Sequence, residues 1–379
     1  MSRSRACLLL AWLGLAAPLA AWQDRFDQWQ ASADTQLLQV DRPNQALAPS
    51  GALNNYGDPA TGMFQDGLWA SLVEAHVSGP LGWDGFSAML NPKTDLNAAS
   101  FGDLYVQWDT PWQWRLRVGQ ERLPLGWEQQ VSPIHLVTVQ RSLLYGFGNY
   151  GHVAPWGLGL LNERAWGLRG DRSWTWDGGG LDLQVGGFDG GGADFSAAVF
   201  GQGRLAVRQA WGPVALLAGL NGLYGRASLL SAPNSYLPLG QADPSQAWQA
   251  GDAAGGKGAL SLGGLDAGLD VGPWHARAEA MLESLTVWRR GGAMATAWLD
   301  LPGWQPVKPS LYAREEEAFT SRPDGVHRPN SLYRCGTLGL SAPAAWGASL
   351  KLEAVNVSDD DFRPFAGGRI YQAELQWVL

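Results

Sequence analysis

Arg115 and Arg117 are separated by one residue in "WQWRLRVGQ", and Arg204 and Arg208 by three in "GRLAVRQAW". On an extended chain both spacings put the pair on one face, because successive side chains point to opposite sides. Trp114, Leu116 and Val118 then occupy the other face of the first pair. A guanidinium is permanently charged and grips acidic groups through paired hydrogen bonds, so arginines around a wet passage attract anions. Arg169 and Arg277 extend the set. The same arginines could instead pair with acids, since Asp182, Glu279, Glu283, Glu353 and Glu374 fall in comparable series. Both readings stay open at this point.

Other chemistry finds little support. Glu315 to Glu317 suggest paired carboxylates for glycoside hydrolysis, but consecutive residues on a strand alternate faces, and a solvated strand end beside a loop is the expectation. His76, His135, His152, His275 and His327 are far apart and match no metal-ligand spacing. "GFGNYG" from Gly146 fits a dinucleotide pattern formally, yet follows no clear strand and opens no helix. No G-x-S-x-G elbow is present. No catalytic residue, metal or cofactor is expected.

The elements that must hold these arginines are announced by composition. Arg3 and Arg5 precede the apolar run Ala6 to Leu15 and the small residues "AAPLAAW", a secretory signal over residues 1–21. Cys7 leaves with it, so Cys335 remains alone, a small filler on a strand. Removing Arg3 and Arg5 takes the 27 basic residues to 25 against 35 acidic ones, near −10, which disfavours nucleic acid as a partner. The chain carries 50 Gly and 21 Trp but only four Lys. Trp gathers where hydrocarbon meets headgroups. No stretch beyond the signal is apolar for the roughly 20 residues that a spanning helix needs. A closed barrel is the other way across a membrane.

The strands agree. Leu104, Val106 and Trp108 alternate with Tyr105, Gln107 and Asp109; Ala276, Ala278, Ala280 and Leu282 alternate with His275, Arg277, Glu279 and Glu283. Leu350, Leu352 and Ala354 alternate with Ser349, Lys351 and Glu353, and the terminal "IYQAELQWVL" sets Tyr371, Leu375, Trp377 and Leu379 against Gln372, Glu374 and Gln376. Charged inside and apolar outside inverts a soluble sandwich, whose interior must be apolar. Trp69, Trp108, Trp174, Trp176, Trp346 and Trp377 suit lipid-facing girdles. "DTPWQ", "AWGPV" and "DVGPWH" read as tight turns. Longer joins fall near residues 230–254 and 317–329, the short-and-long alternation of outer-membrane barrels. About fifteen strands are countable, sixteen with "TQLLQV" near Leu37, and an even number is expected. Residues 22–66 form an N-terminal segment with this possible first strand, and 67–379 the transmembrane antiparallel β-barrel.

One stretch, Arg117 to Leu144, breaks the rhythm. Its Gly119, Gln120, Pro124, Gly126, Glu128, Ser132, Arg141 and Ser142, followed by "AWGLRGD", resemble a signature of the phosphate-selective porin O and P family. The match covers roughly 55 residues, about a seventh of the chain. The resemblance implies a sixteen-stranded trimeric outer-membrane porin whose third loop, here about Arg122 to Asn162, folds inward and narrows the pore. Lys93, Lys257, Lys308 and Lys351 are too scattered for that family's lysine cluster, and the chain ends in Leu379 where such barrels usually end in Phe. The apolar "IHLVTV" from Ile134 favours a place in the bore, since it would be an exposed patch outside; Glu128, His135 and Arg141 would face the remaining opening.

The combined expectation is a passive outer-membrane channel for small hydrophilic solutes, inorganic anions among them, trimeric and surrounded by lipid. Its pore lining is assigned to Arg115, Arg117, Glu128, His135, Arg141, Arg169, Arg204, Arg208, Arg277 and Glu279. Two other readings fit the same strands: a secreted carbohydrate-active β-protein, and a non-conducting barrel serving as scaffold for a partner.

Overall fold

The computed structural model describes residues 30–41, 67–81, 83–94, 99–131, 136–138, 142, 144, 164–189, 199–228, 257–285, 288–302, 307–321, 331–343, 348–359 and 368–378. The signal segment, "GFGNYG", His135 and Arg141 lie outside them, as do the side chains of Trp69, Trp346 and Trp377.

Period-two patterning becomes sixteen strands: β1 Gln30–Asp41, β2 Gly67–Pro80, β3 Phe86–Thr94, β4 Ala99–Asp109, β5 Trp114–Arg122, β6 Arg164–Trp176, β7 Gly179–Asp189 and β8 Val199–Trp211. They continue as β9 Val214–Ser228, β10 Lys257–Val271, β11 Trp274–Leu285, β12 Trp288–Asp300, β13 Ser310–Ser321, β14 Ser331–Pro343, β15 Ala348–Asp359 and β16 Gly368–Val378. Each pairs antiparallel with its chain neighbours, and β1 pairs with β16 from Asp34↔Val378 to Asp41↔Tyr371, so the sheet closes into a barrel. The last strand therefore leaves no open edge.

The hairpins at one rim are short. Gly178, Gly212 and Gly272 take φ of 70°, 57° and 57°, and at Gly212–Pro213 and Gly272–Pro273 the glycine supplies the left-handed conformation that tight hairpins demand. The third connection at the opposite rim is residues 123–163, between β5 and β6. One expected join shifts. The strand β13 runs to Ser321, so Glu315 to Glu317 lie in mid-strand rather than at a solvated end.

Burial inverts the soluble rule. Leu220, Leu265 and Leu338 are 57 %, 59 % and 67 % exposed on the outside, while Lys351, Glu279 and Glu374 are 1 %, 3 % and 0 % exposed inside. In water this outer wall would be an apolar surface far beyond what a soluble monomer shows; in hydrocarbon it is satisfied. Exposed Trp83, Trp112, Trp176, Trp211 and Trp274 lie in or beside the short hairpins, and Arg172 stacks over Trp114 and Trp174 at 5.8 and 5.0 Å. This is an aromatic belt marking one membrane interface.

Candidate functional site

The described part of the third connection, residues 123–131, 136–138, 142 and 144, is built into the bore. Beyond Arg122, Leu123 and Leu125 are buried, and Gly126 at φ 86° turns the chain into the single helical turn α1, Trp127–Gln130. The wall then takes hold of it strand by strand. Gln202 of β8 donates to the Pro124 carbonyl at 3.0 Å, and Glu279 of β11 accepts the Glu128 N–H at 2.5 Å. Arg314 of β13 donates to the Glu128 carboxylate at 2.7 Å and to the Thr138 hydroxyl at 2.6 Å, and pairs with Glu316 at 3.0 Å. Lys351 of β15 donates to the Thr138 carbonyl at 3.2 Å and pairs with Glu374 at 3.3 Å. The segment also closes on itself, as the Ser142 N–H donates to Glu128 at 3.0 Å. Buried charges persist only when paired in this way.

Glu128 therefore corrects the expectation that it faces the opening: it is fully buried and points at the wall. Two residues of the porin-like signature, Glu128 and Ser142, meet as a local hydrogen bond. Gln120, a third, donates to the carbonyls of Phe101 and Gly102 on β4 and ties the end of β5 to its neighbour.

Among the described residues the opposite wall faces open space. A cavity of about 350 Å³ is lined by Arg115, Arg117, Arg169, Arg172 and Arg204 from the wall, with Trp127, Gln130 and Val131 from the inward segment. Asp171 and Asp182 lie among the same lining residues, and Arg172, in the outward series with Trp174, borders the cavity without facing into it, so four guanidiniums and two carboxylates face the space. Arg169 pairs with Glu121 at 2.7 Å and Asp171 at 2.8 Å; Arg117 reaches Glu121 at 3.4 Å, Asp171 at 3.6 Å and the Tyr105 ring at 4.9 Å. Arg204 grips both carboxylate oxygens of Asp266. Both sequence readings of the arginines thus hold together: they are acid-paired, and they surround one space. Arg115, half-exposed beside Asp109, is the least enclosed of them.

Arg208 is exposed on β8 and is not part of this lining. Arg277 and Glu279 hold the segment instead. Arg277 lies over the Trp127 and Trp298 rings at 5.3 Å each and donates twice to Asp270 at 2.9 Å, while His275, stacked on Trp298, bonds to Asp270 at 2.7 Å and Asp300 at 3.2 Å. Sequence reasoning left out Trp127, Asp266 and Arg314. The inward parity of Asp266 and Arg314 was readable, but their partners are remote in the chain, and Trp127, off the strands, has no parity to read. Among the described residues no cluster of His, Cys, Asp and Glu is placed to hold a metal ion. Glu316 points inward and Glu315 and Glu317 outward, so the three do not converge on one substrate.

Glycine makes room for the arginines. A Cβ on Gly219 would lie 2.6 Å from Asp266 Oδ1 and 2.7 Å from an Arg204 nitrogen. Gly219→Val is expected to prise that pair apart and destabilise the barrel by ~1–3 kcal/mol, as overpacking does. Urea midpoints of the detergent-folded protein measure it, and an unchanged midpoint would show that the pair has slack.

No family model matches the chain, and no curated protein matches it. Solved structures do resemble it. The barrel is similar to OprB of Pseudomonas putida (TM-score 0.57, 8 % identity, 97 % of each chain covered). It is also similar to a loop-deleted OmpT, an outer membrane protein of Vibrio cholerae (TM-score 0.56, 9 % identity, 93 % of this chain and 99 % of that one). An anion-selective porin from Comamonas acidovorans overlays at TM-score 0.54 with 13 % identity, over 93 % of this chain and 99 % of that one. The chain is a sixteen-stranded antiparallel β-barrel with the fold of these outer-membrane proteins, and the described part of its β5–β6 connection lies inside the bore.

Proposed function

We propose that the protein is a porin: a passive channel for small hydrophilic solutes with a preference for anions. It carries out no catalysis, is processed after residues 1–21, and assembles as a homotrimer. The observation that carries this reading is the division of the bore, with the inward segment fastened to β11, β13 and β15 and an arginine-lined space left beside β5, β6 and β8. The segment sets the size of the opening, and the wall charges set the sign it favours. The resemblance to phosphate-selective channels does not extend to a lysine cluster. Lys351 is buried against Glu374, and Lys308 is exposed beside the short-hairpin rim. Arginine pairs, partly neutralised by acids, suit a broader set of small anions.

Replacing Arg115 and Arg117 together by Ser tests the selectivity. Reversal potentials in a salt gradient are expected to shift toward cation preference with the barrel intact. An unchanged potential would place these residues off the ion path. A wild-type barrel that never conducts in planar bilayers would instead support the scaffold reading.

A further inference from the structure

At the rim opposite the aromatic belt, the outer wall of β9 to β12 stops being apolar. Two residues before its end, β9 turns Arg226 outward, in one series with Leu216, Leu220 and the exposed Tyr224. The second residue of β12, Arg289, is exposed on the same side of the wall. Between them the register runs Tyr224↔Ser261, Ser261↔Ser284 and Ser284↔Arg289, and directly opposed residues share a face. A phenol, two serine hydroxyls and two guanidiniums thus form one outward patch across four strands. Neighbouring strands lie ~4.8 Å apart, so the row spans about 14 Å.

Other strands are apolar at this level. Trp166 of β6 and Phe319 of β13 stand third from the same end of their strands, as Arg226 does, and expose rings. Arg334 of β14 also points outward here, but it pairs with Glu317 at 3.0 Å. At the other rim Arg172 stacks on indoles. Arg226 and Arg289 do neither, and make no ion pair, side-chain hydrogen bond or ring contact among the described residues. Asp189, the outward carboxylate in the row of Arg226, lies two strands away beyond Val199. Guanidiniums facing a membrane are costly unless something there takes up their donors.

We infer that this patch binds the headgroup of a phosphorylated glycolipid in the leaflet at this rim. The site lies outside the bore and is independent of the solute that passes through it. The occupant follows from the donors. A guanidinium holds phosphate through paired, charge-assisted hydrogen bonds. Arg226 and Arg289 stand at the two ends of the row, which suits two phosphates on one headgroup. The hydroxyls of Tyr224, Ser261 and Ser284 between them suit the sugar that joins those phosphates. A zwitterionic headgroup, with one phosphate offset by its own ammonium, would leave one arginine unmatched. Depth agrees, since both arginines lie within ~7 Å of a strand end, where hydrocarbon gives way to headgroups.

Native mass spectrometry of the detergent-folded barrel, with diphosphoryl lipid A as the probe, tests this. Wild type is expected to retain the lipid through detergent exchange. Arg226→Gln combined with Arg289→Gln should weaken retention roughly 25-fold, at about fivefold for each cation beside an anionic surface. Arg334→Gln, on the same wall but engaged by Glu317, should leave retention unchanged. Lipid A stripped of both phosphates should bind wild type as weakly as the double variant binds the intact lipid. That comparison needs no substitution, so it stands even where the double variant fails to fold. Undiminished retention of the intact lipid by the double variant would overturn the site. Phosphatidylglycerol retained as strongly as diphosphoryl lipid A would overturn the headgroup. Oligomers lost in the double variant with lipid retention unchanged would assign the arginines to a contact between copies, and overturn it too.

Discussion

Deleting Ser132 to Val139 is expected to raise single-channel conductance severalfold while the barrel still forms. The deletion removes Leu136 and Thr138, both buried, and with Thr138 the acceptors for Arg314 and Lys351. The strands do not depend on these contacts, because their ladder is closed from β1 to β16. A companion variant weighs the anchor itself. Arg314→Ala takes away the cation shared by Glu128 and Glu316, which are 0 % and 4 % exposed. Breaking a buried pair from one side costs ~3–5 kcal/mol, since the remaining charge stays desolvated. The segment should then leave the wall, seen as faster trypsin cleavage within residues 132–163 and noisier open-channel current. Conductance unaltered by the deletion would mean that this segment does not limit flow.

The second large effect separates the two faces of one wall by a single substitution. Leu265 is exposed on the lipid side in the middle of β10, and Leu265→Arg is expected to cost ~2–4 kcal/mol near the membrane midplane and to block assembly. Leu217 of β9 lines the cavity instead, so Leu217→Arg should be tolerated and strengthen anion preference. Heat-modifiable barrel recovered from outer membranes is the readout for both. A higher yield for Leu265→Arg than for Leu217→Arg would show that the inside and outside of this wall are exchanged.

What the sequence could reveal follows from the range over which each rule acts. Alternation is local: Arg115 and Arg117 must share a face because they are two residues apart, whatever the fold. Register cannot slip by one without turning every apolar side chain inward. The reading of "IYQAELQWVL" holds where its side chains are described, with Tyr371 and Leu375 exposed and Glu374 and Gln376 buried. Turn positions followed from Gly-Pro pairs for the same local reason. Glu315 to Glu317 misled because an outward carboxylate in mid-strand contradicts the pattern, and a strand end was the cheaper explanation. The structure keeps them in β13.

The sequence by itself determined the strands, the two faces of each, and an inward series rich in charge, because backbone geometry ties these to residues one or two apart. Only the tertiary structure decided which inward charges meet. Arg314 reaches Glu128 across 186 residues of chain, and Lys351 reaches Thr138 across 213. Such partners are brought together by barrel closure and by the entry of the third connection, and no periodicity encodes that distance. Parity placed Arg314 and Arg204 alike on the inner wall. Closure made one an anchor for the inward segment, and set the other at the edge of the opening.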